Sequence, residues 1–99
     1  MAIKVKNFTE GDTAISYENG QKCLEEELKM LRNENRVVLD FDGVNYVITA
    51  FLNPVIGDLI LQEGADVMKC IDIVNANESI LQKIKMVKDG ALIKREDME

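Results

Sequence analysis

Two carboxylates spaced two residues apart, Asp40 and Asp42, are the pairing in this chain with the plainest route to acid–base chemistry. On an extended strand, residues i and i+2 point to one face, so two carboxyls there would crowd and separate in proton affinity. Gly43 follows, however, and Asp-Gly is also a common turn pair. Little else could join them, because the 99 residues contain no His, the commonest neutral-pH base and metal ligand. No activated nucleophile, phosphate-binding glycine loop or metal-ligand spacing is evident. Cys23 and Cys70 lie 47 positions apart, too few for a disulfide framework or a zinc site, and read as two small buried hydrophobes. The segment from Thr49 to Asn53 places a hydroxyl and an amide at the start of a helical pattern. Unpaired backbone N–H groups and a partial positive charge make such an end attractive to anions, a property shared by every helix. The expectation is a protein that is not an enzyme and that holds no cofactor and no metal.

The chain must bury enough apolar surface to position these groups. With 46% hydrophobic residues it can form one modest core and is too apolar for a disordered chain. A formal charge of −6 argues against nucleic acid as the main partner, since phosphate binding needs a basic face. No run approaches the roughly 20 apolar residues that span a bilayer, and lysines interrupt the start of the chain. A cytoplasmic protein with no membrane partner is expected.

Period changes along the sequence divide it into elements. Ile3 to Phe8 alternates like a half-buried strand, and Thr13–Ile15 adds a short one. From Ser16, a plausible N-cap, Tyr17, Leu24, Leu28 and Leu31 recur at helical spacing until Asn33 and Asn35 close the helix. The glutamates at 25 to 27 read as its solvated face. Arg36–Phe41 reads as a largely buried strand, expected to be central, and Asp42-Gly43 as a tight turn followed by a short extended segment that feeds a second helix, ended by Gly64. That helix starts at Thr49 or at Asn53-Pro54. A strand over 66–74 follows, then a capping box at Asn75-x-x-Glu78 and a helix stopped by Gly90. Residues 1–93 form one domain, and 94–99 are a charged tail expected to fray. The order predicts an α/β fold: about four strands in a mixed sheet, with about three helices mainly on one face.

Between Arg36 and Leu61, the run VVLDFDGVNYVITAFLNPVIGDLIL resembles the STAS-like family of uncharacterised bacterial domains, distant relatives of anti-sigma-factor antagonists. The strand ending Leu-Asp-Phe, the Asp-Gly-Val turn, the Thr-containing turn before Phe-Leu-Asn and the helix with Ile-Gly carry the likeness, which extends over about residues 3–88. The resemblance implies a switch module that binds an anti-sigma factor, itself a kinase with a GHKL-type ATP site, until a Ser at the helix start is phosphorylated. That position falls on Ala50, beside Thr49; Ile48 stands in the acidic position and Phe51 in place of Gly.

A protein-binding regulatory module in signalling or transcription is therefore expected. Its docking residues are Asp42, Thr49, Ala50, Phe51 and Asn53, with Thr49 as the candidate phosphosite. Phe51 has two readings, an aromatic anchor for a partner or ordinary core. Thr49 likewise reads as a plain N-cap or as a modified hydroxyl. The alternative is a small acidic inhibitor or a self-associating structural protein, including a homodimer, with the −6 charge steering it to a basic surface.

Overall fold

In the computed structural model, which describes residues 2–98, β1 (Ile3–Lys4), β3 (Val37–Asp40) and β5 (Ile71–Val74) form a parallel sheet in the order β1-β3-β5. Leu39 is matched to Ile3 on one side and to Ile73 on the other. Strands β2 (Thr13–Ala14) and β4 (Tyr46–Val47) make a separate parallel pair. Two small sheets thus stand in place of the expected single four-stranded mixed one. Ile3, Val37, Leu39 and Ile71 are buried, whereas Lys4, Val38, Asp40 and Asp72 on the other face keep solvent access.

The division begins at Val5. Residues Val5–Phe8 form a 3₁₀ turn instead of prolonging β1. The spacing explains it: Ile3 and Val5 alternate, but the next apolar residue is Phe8, and positions three apart share a face in a 3₁₀ helix. The expected strand over 66–74 is corrected for the same reason. Ala65–Cys70 is a 3₁₀ helix with Val67 buried, and only Ile71–Val74 is extended.

Helix α1 (Tyr17–Glu34) starts where expected, with Ser16 Oγ accepting from the Asn19 N–H at 3.2 Å, and ends at Asn35 in the left-handed region (φ 59°). After β3 the chain turns at Asp42-Gly43, with Gly43 at φ 79° and the Val44 N–H donating to the Phe41 carbonyl at 2.9 Å. A continuous helical stretch follows: α2 (Thr49–Leu52), a π-helical segment (Asn53–Asp58) and α3 (Leu59–Glu63), closed by Gly64. Its start is Thr49, not Asn53-Pro54. Pro54 lacks an N–H and its ring crowds the preceding turn, and the wide π turn accommodates both.

The last helix, α4 (Glu78–Met98), corrects two expectations. Its cap is Asn77, whose Oδ1 accepts from the Ile80 N–H at 2.9 Å, while Asn75 takes a left-handed conformation (φ 59°) before it. Gly90 does not stop it. Ala91 is buried, and Arg95 Nη1 donates to the Leu61 carbonyl at 2.9 Å, so packing against α3 carries the helix onward. The helix therefore takes in Lys94 to Met98 of the charged 94–99 segment; Glu99 lies outside the described residues.

Candidate functional site: the groove between the Thr49–Glu63 helix and α4

The site begins with a helix start that no side chain caps. Ile48 occupies the cap position in an extended conformation, and its carbonyl accepts from the Phe51 N–H at 3.1 Å. Thr49 is thus the first helical residue and not the N-cap, and it is exposed. One turn later Asn53 is also exposed, on the same wall.

Facing that wall is α4. An open groove of about 470 Å³ runs between them, with Thr49, Asn53 and Leu61 on one side and Met86, Ala91 and Lys94 on the other. Two glycines line it. A Cβ on Gly57 would already touch Val87 Cγ1 at 3.5 Å, and at Gly90 a Cβ would meet nothing within 4 Å. Met86 is 61% exposed and Ile93 62%, so α4 presents apolar surface outward beside the groove. Asp58 and Lys94 place one charge of each sign along it. An apolar floor flanked by a hydroxyl, an amide and two opposite charges suits a peptide segment or helix better than a small anion.

The five expected docking residues are split by the fold. Thr49 and Asn53 line the groove; Ala50, partly buried, does not. Phe51 has no exposed surface, so it is core and not an accessible anchor. Asp42 is exposed in the turn after β3 and is not a groove residue.

The same turn dissolves the Asp40–Asp42 pairing. Asp40 ends β3 while Asp42 lies beyond it, and the contact between them is the Asp42 N–H donating to Asp40 Oδ1 at 2.9 Å. Asn75 Nδ2 donates to the same oxygen at 2.9 Å. These two bonds, the Asn75 amide first, hold the Asp40 carboxyl below its ordinary value, the opposite of what a general acid needs. Nearby, Asn45 Nδ2 and then the Thr13 hydroxyl do the same for Asp12. At the other end of the sheet, Arg36 clasps Asp72 through Nε at 2.8 Å and Nη2 at 2.7 Å.

A helix stopped by Gly90 leaves out Ala91 and Lys94, and Met86 lies off the apolar spacing of Ile80, Ile84 and Val87. The signal was nevertheless present: Ile80, Ile84, Val87 and Ala91 keep helical spacing across Gly90. The cysteines differ from each other. Cys23 is fully buried, and burial pushes its thiol far up, whereas Cys70 is only partly buried. Among the described residues, no three His, Cys, Asp or Glu side chains are grouped to hold a metal ion, and no helix is long and apolar enough to cross a membrane.

A strand-turn-helix unit with its second helix entered through an uncapped Thr, preceded by one long helix, is the frame into which the family comparison fits. A family model described as a STAS-like domain of unknown function (DUF4325) matches residues 19–81, more than half of the chain. The chain belongs to that family. No curated protein and no solved structure matches it. The match covers the Thr49 wall of the groove and ends at Leu81, before Met86 to Lys94 of the opposite wall of this STAS-like chain.

Proposed function

We propose that this STAS-like domain is a non-catalytic regulatory module that binds a protein partner through the groove between Thr49 and α4. The observation that carries the reading is the meeting of exposed Thr49 and Asn53 with exposed Met86 and with Lys94 across an open apolar floor. The resemblance to anti-sigma-factor antagonists favours a partner with an ATPase domain, and the −6 charge favours a basic approach surface. Thr49 is the regulatory position in this proposal. Phosphorylation there adds charge of about −1.5 to −2 at an otherwise uncapped helix start and blocks an apolar partner segment at the groove mouth.

The test is affinity capture from host lysate with tagged wild type, Met86→Lys and Thr49→Asp, with and without ATP, read by mass spectrometry for bound proteins and for phosphate on Thr49. The reading expects a protein retained by wild type and lost from both variants, and phosphate on Thr49 when ATP is present. Equal capture by all three proteins assigns the partner surface elsewhere. Capture of nothing removes the binding role.

A further inference from the structure

Glu27 is the only charged-type side chain fully buried among the described residues, at 0% exposure. Neither of its carboxyl oxygens has a hydrogen-bond partner among the described residues. It belongs to the buried stripe of α1 that also holds Gly20, Cys23 and Leu24. This stripe packs on the Thr49–Glu63 helix so closely that a Cβ on Gly20 would lie 2.5 Å from the Phe51 carbonyl oxygen and 2.6 Å from Pro54 Cγ.

An ionised carboxylate without a partner in such a seam is strongly disfavoured, so the side chain sits there as the neutral acid. The elements packed against α1 carry Lys4 on β1, Lys6 on the 3₁₀ turn, Asp40 on β3 and Asp58 on the π segment. None of these hydrogen-bonds to Glu27, and burial alone raises its proton affinity. On its own helix the group that senses it is Cys23, one turn back.

We propose that Glu27 is a proton-operated latch: α1 seats on the Thr49–Glu63 helix with this carboxyl neutral, and opening of the seam lets the carboxyl release its proton to water. A leucine at this position would hold the helix regardless of pH. A carboxyl makes seating of α1 conditional on a proton, and the same helix covers Phe51 and Pro54 two turns earlier, at Gly20. The latch depends on the packing of α1 and not on the binding role proposed for the opposite groove.

Amide hydrogen exchange of wild type and Glu27→Gln, on the full chain from about pH 5 to about pH 7, tests it. The α1 amides of wild type should open more readily than those of the variant, by a ratio that grows up to about tenfold per pH unit above the ordinary glutamate value. They should also exchange by a smaller opening than the β3 amides, which report unfolding of the whole chain. A ratio that does not change with pH overturns the latch, as does α1 protection equal to that of β3 at every pH. Should Glu27→Gln fail to fold, the carboxyl ¹³C resonance of wild-type Glu27 decides: titration at the ordinary glutamate value overturns the proposal, and titration well above it sustains it.

Discussion

The helical stretch from Thr49 to Glu63 meets α1 on one side and α4 on the other, and the two seams are opposites. Against α1 there is no room: Gly20 is buried under Phe51 and Pro54, and the stripe continues through Cys23 to Glu27. Against α4 there is an open groove, with room at Gly57 for a Cβ in ordinary contact with Val87 and with Gly90 facing empty space. Glycine thus does two jobs in one molecule. At position 20 it permits a close backbone approach, and at position 90 no internal neighbour requires it. The lesson is that the closed seam holds the fold together while the open one is spare surface.

Filling the closed seam is the harshest way to break that contrast. Gly20→Ala would force its methyl into the Phe51 carbonyl, and backbone cannot swing aside as a flexible side chain can. We expect destabilisation of about 3 kcal/mol, the upper end for overpacking, read as a lower urea midpoint at unchanged slope. A loss below about 0.5 kcal/mol would mean that the seam is loose.

Removing the titratable proton from the closed seam works in the other direction. Glu27 has its proton affinity raised by burial, so its contribution to stability is fully present below the ordinary glutamate value and is lost as pH rises from there toward the raised one. Glu27→Gln carries no proton to lose. It should exceed wild type by about 2 kcal/mol at neutral pH and match it near pH 4, where both side chains are neutral. Parallel denaturation profiles over that range would show that Glu27 is not held neutral.

At the open seam the same kind of substitution should reverse sign. Gly90→Ala meets no atom within 4 Å and replaces a flexible residue inside a 21-residue helix. A gain of about 1 kcal/mol is expected from helix propensity alone. Loss of stability would place Gly90 in a close contact after all and erase the difference between the seams.

The closed seam was the less legible of the two in the sequence. The helical spacing of Tyr17 to Leu31, the Ser16 cap, the central strand and the Asp42-Gly43 turn all follow local rules, and they are where the structure agrees. A run of three glutamates looks uniform and puts Glu27 at solvent with Glu25 and Glu26, whereas a 100° helical step takes one of them to the buried face. Thr49 and Asn53 were legible as an exposed helix start. Phe51 could have faced either way, since its orientation depends on α1, which is distant in sequence. The breaks at Val5 and Ala65 are hard to see in the sequence because short 3₁₀ turns share the apolar content of strands and differ only in spacing.

The mildest substitutions separate stability from binding most cleanly. Met86 is 61% exposed and Lys94 is exposed as well, so neither side chain supports the core. The double variant Met86→Lys and Lys94→Glu should change unfolding free energy by less than about 0.5 kcal/mol, as surface substitutions usually do. It alters both the apolar lip and the cationic end of the groove, so a partner held there should lose most of its affinity at unchanged fold. Calorimetric unfolding and partner titration on the same preparation give the two readings. Full affinity in a fully folded variant would move the docking surface away from α4, and a large loss of stability would show that this wall of the groove is part of the core.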